Sequence, residues 1–140
     1  MLAACGGIPV DKNGKIYATN QGNNTLTTYT AKGAQTTPTI TGLDFTGGVA
    51  VDPNGKIYVV NYGNNSLTTY LPKGTQTTAT ITAALDKPVG VAIDLDGKIH
   101  VSNSGNSTLT SYNTKGAQTT PKISMVLSTP QLIEFNLKKM

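Results

Sequence analysis

Arginine and tryptophan are absent from the 140-residue chain, and cysteine, histidine and glutamate occur once each, as Cys5, His100 and Glu134. Without arginine the net charge of +4 rests on lysine alone, and the planar fork that grips phosphates and guanine edges is missing. The lysines mostly stand singly beside glycine in turns, as at Lys32-Gly33, Lys73-Gly74 and Lys115-Gly116. There they keep turns and edges soluble, and no nucleic-acid partner is expected. One cysteine excludes an internal disulfide and a multi-cysteine metal site, and one histidine excludes a typical zinc site. No run of eighteen apolar residues exists to cross a membrane as a helix. Nucleophile elbow, phosphate-cradling glycine loop and paired-carboxylate motif are all missing, so acyl, phosphoryl and glycosyl transfer lack support. The expectation is a non-enzyme with no cofactor and no metal.

What is present is self-similarity. Asp11-Lys-Asn-Gly-Lys-Ile-Tyr17 returns 41 residues later as Asp52-Pro-Asn-Gly-Lys-Ile-Tyr58, and 42 further on as Asp94-Leu-Asp-Gly-Lys-Ile-His100. Gly22-Asn-Asn-Thr-Leu-Thr-Thr-Tyr29 recurs as Gly63 to Tyr70 and as Gly105 to Tyr112. The period divides the chain into units over residues 6–47, 48–89 and 90–129. Pro130 to Asn136 aligns with Pro88 to Asp94, so residues 130–140 read as the first strand of an incomplete fourth unit.

Each unit holds four short strands separated by turn residues. In the middle one, Val49 to Val51, Lys56 to Val60, Ser66 to Leu71 and Gln76 to Ile81 are the expected strands. Asn54-Gly55 predicts a tight type I′ hairpin between the first two. Ile57 and Val59 fall on one face of the second strand and Tyr58 and Val60 on the other, so this strand is expected to be covered on both sides. The fourth strand is rich in threonine and carries Pro38 or Pro121 in the outer units, which suits a sheet edge. An all-β protein follows, built of four-stranded antiparallel sheets with a period of 41–42 residues, the pattern of β-propeller blades.

Gly48-Val-Ala-Val-Asp-Pro-Asn-Gly-Lys-Ile-Tyr-Val-Val-Asn61, followed by Gly63-Asn-Asn-Ser-Leu67, resembles the NHL repeat and the similar YVTN repeat. The resemblance implies a β-propeller of a kind often found secreted, periplasmic or at the cell surface. Many such proteins act as binding scaffolds, while some relatives are lyases or metal-dependent lactone hydrolases. Complete members usually have six or seven blades, against three and a fraction here.

Candidate functional residues are few. Leu2-Ala-Ala-Cys5 resembles a lipobox, making Cys5 a lipidation candidate and an envelope or secreted location the expectation, with a membrane partner only if Cys5 is acylated. The same residues also align with the linker Leu43 to Gly48, so a purely structural reading stands beside that one. Asp11, Asp52 and Asp94 recur in every unit, which fits turn capping better than a cation site. His100 replaces Tyr17 and Tyr58, and either packs between blades or acts as a contact residue. Tyr62 stands where the other units have Gln21 and Ser104, a departure that marks a contact residue in the loop. The asparagine motifs beginning at Asn23, Asn64 and Asn106 are formal glycosylation sites but serve the turn equally well. The leading expectation is a scaffold binding a protein or small ligand outside the cytoplasm. Self-assembly through exposed terminal blades, as a dimeric six-blade ring or a fibre, and a fragment of a propeller lyase or lactone hydrolase are the alternatives.

Overall fold

The computed structural model describes residues 8–77 and 80–124, and every regular element among them is a β-strand. The first sheet holds β1 (Ile16–Asn20), β2 (Thr25–Tyr29) and β3 (Gln35–Ile40); the second holds β4 (Thr46–Val51), β5 (Ile57–Asn61) and β6 (Ser66–Tyr70). The third holds β7 (Pro88–Ile93), β8 (Ile99–Asn103), β9 (Thr108–Tyr112) and β10 (Gln118–Ser124). Every pairing is antiparallel between chain neighbours, and the register repeats, with Ile16, Ile57 and Ile99 opposite Tyr29, Tyr70 and Tyr112.

Among the described residues the third sheet has all four expected strands and the other two have three each. In the second, the described residues of the segment expected as the fourth strand pair antiparallel with β6 at Gln76 with Tyr70 and at Ile81 with Leu67. In the first sheet the innermost strand is reduced to Val10 opposite Ile16, beside Pro9, which has no N–H to offer a ladder. Cys5 and residues 130–140 lie outside the described residues.

The hairpin chemistry differs from the two-residue turn that Asn-Gly suggests. Gly55 donates its N–H to Asp52 O at 2.9 Å and Asp52 donates to Lys56 O at 3.0 Å. Only Gly55 in this turn is left-handed, at φ +85°, whereas a type I′ turn needs two such residues. The loop is a type I turn closed by a glycine bulge, and it recurs at Gly14 and Gly97 with the same pair of bonds. The carboxylate is the reason: Asp52 Oδ1 accepts the N–H of Asn54 at 2.9 Å and of Lys56 at 3.0 Å, which fixes the wider loop.

Two apolar layers join the three sheets. Tyr17, Leu26, Ile40 and Leu43 of the first unit meet Val49, Ile57, Val59 and Tyr70 of the second. Tyr58, Val60, Leu67 and Ile81 of the second meet Val91, Ile99, Val101 and Tyr112 of the third. As its doubly apolar sequence predicts, β5 is buried on both faces, with Ile57, Val59 and Val60 all at 0 % exposure. The inner strands approach closely at Gly47 and Gly48, where a Cβ would stand 3.0 Å and 3.1 Å from Val89 O. Glycine therefore sets the spacing of neighbouring sheets near their inner edges.

Candidate functional site

In each sheet the hairpin joining the inner two strands and the loop after the second strand lie at opposite ends, so the molecule has a turn rim and a loop rim. The two contact residues expected from sequence fall on different rims: His100 beside the Asp94 turn, Tyr62 in the β5–β6 loop.

On the turn rim, Tyr17 and Tyr58 donate their hydroxyls to Asp11 Oδ2 and Asp52 Oδ2 at 3.0 and 3.1 Å. His100 takes the same place, with Nε2 3.1 Å from Asp94 Oδ2 and Nδ1 2.8 Å from Ser111 Oγ. Serine, histidine and aspartate in line resemble a hydrolytic triad, but this one is closed. Ser111 is 1 % exposed, and the carboxylate holds Nε2 rather than Nδ1, the reverse of the usual arrangement. Its equivalents Thr28 and Thr69 are also buried hydroxyls bonded to the neighbouring edge segment, Thr28 to the carbonyls of Thr36 and Pro38 and Thr69 to the Thr77 hydroxyl. His100 is thus a turn clamp in the position of a tyrosine. Among the described residues no three acidic, histidine or cysteine side chains cluster as a metal site. A groove of about 420 Å³ between the Asp11 and Asp52 turns is lined by Lys15, Tyr17, Pro53 and Pro72 and holds no nucleophile paired with a base.

These clamps shape the response to pH. Burial, then the hydrogen bond and charge of Asp11, push the Tyr17 hydroxyl up to about 12. Burial and Asp52 raise Tyr58 in the same sense. A tyrosine whose folded pKa exceeds the unfolded value of about 10 adds stability that is complete below that pH and is lost as pH rises through the folded pKa. Thermal melts should therefore show the melting temperature falling above about pH 10, and Tyr17→Phe/Tyr58→Phe should flatten that limb. Parallel profiles for the two proteins would contradict the clamp. At the acid end, burial favours protonation of Asp94, but the bonds from His100 and from the N–H groups of Lys98 and Asp96 outweigh it and hold the carboxyl below its usual value. That contribution is present above about pH 4 and fades as pH falls through the lowered pKa.

The loop rim carries the departure from the repeat. Tyr62 is half-buried, and its N–H donates to Phe45 O at 3.0 Å. Its ring lies 5.5 Å from that of Phe45, tilted by 46°. Phe45 is 48 % exposed and left-handed at φ +49°. Asn24 Oδ1 in the preceding loop accepts the Phe45 N–H at 2.9 Å, and Gln21 donates to Thr46 O at 2.9 Å. The next interface repeats this backbone frame: Lys87 sits at φ +49°, donates to Asn65 Oδ1 at 2.7 Å and accepts the Ser104 N–H at 3.0 Å. The frame is common to both interfaces, while Phe45 and Tyr62 give way to Lys87 and Ser104. The fold accepts non-aromatic residues at both positions, so the aromatic pair is particular to this interface. Phe45 was not singled out from sequence, although comparing position 45 with position 87 would have exposed it.

The sequence profile of the NHL repeat matches residues 47–70. A search of curated protein sequences finds no match. Among solved structures, a chain of a nidogen/laminin complex superposes with a TM-score of 0.81 at 17 % identity, over 96 % of this chain and 53 % of that one. Hydrazine synthase of Kuenenia stuttgartiensis gives 0.78 at 20 % identity, over 94 % of this chain and 38 % of the other. Virginiamycin B lyase from Staphylococcus aureus gives 0.71 at 16 %, over 93 % and 44 %. The chain thus spans about half or less of these proteins, and at such identities the likeness is one of fold. Three antiparallel sheets stacked face to face in a 41–42-residue register are blades of the β-propeller fold, and residues 47–70 of this chain are similar to the NHL repeat.

Proposed function

We propose that this chain is a non-catalytic propeller scaffold whose loop rim, centred on Phe45 and Tyr62, binds a protein outside the cytoplasm. The observation that carries the reading is the aromatic pair itself: a large exposed phenylalanine held in a left-handed conformation on a frame that the next interface builds with lysine and serine. Rigid aromatic side chains offer much contact area for little lost conformational freedom, and they dominate binding hot spots. The nidogen/laminin structure is a protein complex, which agrees with a propeller serving as a binding partner. The Leu2-Ala-Ala-Cys5 pattern supports the location. The lyase reading finds less support, because the described Ser-His-Asp line is closed to substrate.

The test is surface plasmon resonance of the immobilised chain against a panel of purified envelope and matrix proteins. Phe45→Ser/Tyr62→Ser should weaken binding at least about tenfold for any protein captured. It should leave stability within about 0.5 kcal/mol of wild type, since neither ring is part of the inter-blade core. Undiminished binding by the double variant would place the contact elsewhere.

A further inference from the structure

Each blade has a leading face, packed on the blade before it, and a trailing face, packed on the blade after it. The two interfaces formed in this way differ at the linker that enters them. Ile40 and Ile81 stand 41 residues apart, whereas Leu43 and Leu85 stand 42 apart, so the second linker is one residue longer than the first. The extra length folds into a turn: Leu85 donates its N–H to Thr82 O at 3.3 Å, and Ala84 is left-handed at φ +60°. The turn presents Ala83 O to the Tyr112 hydroxyl, 2.6 Å away. In the shorter linker Leu43 donates instead to Asn24 O, in the loop of its own blade, at 3.3 Å.

Beside the shorter linker, between it and the leading face of the second blade, lies a cavity of about 370 Å³. Asn61, Ser66, Thr68 and Tyr70 form its floor, and the exposed Gln76 and Thr82 stand at its mouth. Thr68 Oγ1 accepts from Asn61 Nδ2 at 3.1 Å and lies 3.0 Å from the Tyr70 hydroxyl. A bond between two hydroxyls uses one of their two protons and leaves the other to be placed. The matching pair, Thr110 and Tyr112, sends that second proton to Ala83 O. Among the described residues nothing accepts the second proton of Thr68 and Tyr70, so the floor of the cavity offers a donor.

We propose that this cavity is a binding site for a neutral monosaccharide, free or as the end of a glycan, separate from the contact surface at Phe45 and Tyr62. No acidic or basic side chain lines it. A charged ligand would lose its water there without gaining a counter-charge, and an apolar one would strip water from hydroxyl and amide groups without replacing the bonds. A molecule covered in hydroxyls avoids both costs, because each hydroxyl donates and accepts. It supplies the acceptor that Ala83 O provides at the next interface. The volume lies at the small end of the range for ligand pockets, about 300–1,000 Å³, which suits a single sugar ring.

Titration of the nitrogen-labelled chain, followed by two-dimensional NMR, tests this with glucose, galactose, mannose and N-acetylglucosamine as neutral probes and glucuronic acid and glucosamine as charged ones. At least one neutral sugar should give saturable shifts at millimolar concentration, centred on the amides of Gly42, Ser66, Thr68 and Thr82. Both charged probes should bind at least about fivefold more weakly than the best neutral sugar. Gln76→Ala/Thr82→Val alters only exposed side chains, so the fold is kept, and it should weaken binding at least about tenfold. An alanine inserted between Thr41 and Gly42 gives the first linker the length of the second and should abolish the shifts while the spectrum stays dispersed. A methyl glycoside that binds as well as the free sugar identifies a glycan end as the ligand, and one that binds less well identifies the free sugar. Absence of saturable shifts with every neutral sugar overturns the proposal. So do shifts centred elsewhere, charged probes that bind as well as neutral ones, or undiminished binding by Gln76→Ala/Thr82→Val.

Discussion

Replacing Leu67 with alanine should destabilise the chain by about 2–5 kcal/mol, the range for deleting a leucine from a packed core. Leu67 is 0 % exposed and lies on the trailing face of the middle blade, among Tyr58, Val60, Ile81 and the leading face of the third. Its backbone is fixed on both sides: β5 pairs with it through Val60, and Ile81 both donates to it and accepts from it, at 2.9 and 2.8 Å. The surroundings have little freedom to collapse into the space, which favours the upper part of the range. Single domains are stable by only about 5–15 kcal/mol, so a large share of the total would be lost. The repeat provides an internal control. Leu26→Ala should cost a similar amount, because Leu26 is equally buried by the second blade. Leu109→Ala, at the same register position in the third blade, where the leucine is only half-buried, should cost less than about 2 kcal/mol. Urea titrations would show this ordering as shifts in midpoint at constant slope. Equal losses at all three positions would mean that covering by the next blade is not what stabilises these leucines.

The same logic explains which features could be read from the sequence. The period of 41–42 residues and the apolar residues on both faces of β5 are consequences of stacking, and they appear in the sequence because every blade must satisfy the same neighbours. The polar edge at Pro38 was legible because proline removes a ladder donor. The turns were read less well. Asn-Gly resembles a two-residue hairpin only if Asp52 is treated as a strand residue, and its carboxylate instead caps the loop and widens it. Phe45 escaped because it lies in a linker, where no periodicity points to a partner; its proximity to Tyr62 depends on a backbone bond between segments that the sequence does not relate. His100 was legible as the residue that breaks a tyrosine position, but its bonds to Asp94 and Ser111 depend on register. Asn61 falls just past the strand expected over Lys56 to Val60, yet it ends β5 and is 2 % exposed. A buried amide at a strand end looks the same in sequence as an exposed one.

That misreading leads to the second large effect, which is clearest at the equivalent Asn103, 0 % exposed. Its Oδ1 accepts the N–H of Asp86 at 3.1 Å, and its Nδ2 donates to Thr108 Oγ1 at 3.3 Å and to Thr110 Oγ1 at 3.1 Å. Thr110 lies 3.0 Å from the Tyr112 hydroxyl, which donates to Ala83 O at 2.6 Å. Because the Tyr112 proton is committed to that carbonyl, the Thr110 hydroxyl must donate to Tyr112, and the whole chain of bonds runs in one direction from Asn103 to the linker. Asn103→Ala removes the first donor and leaves the Asp86 N–H without its acceptor. The expected loss is about 3 kcal/mol, because each buried group left without a partner costs about 1–3 kcal/mol. A drop of roughly 10 °C in melting temperature should follow. Asn103→Asp keeps the shape and the acceptor but replaces the donor with a buried carboxylate facing two hydroxyls, and should be no less damaging at neutral pH. Asn20, the half-buried equivalent in the first blade, also donates to two threonine hydroxyls, Thr25 and Thr27, at 3.2 and 3.1 Å. Water can replace those bonds, so Asn20→Ala should cost under about 1 kcal/mol. If Asn20→Ala and Asn103→Ala prove equally costly, burial of the network is not what makes the amide matter. If only Asn103 is costly, the asparagine at the end of each second strand ties its blade to the preceding linker in proportion to how completely the preceding blade excludes water.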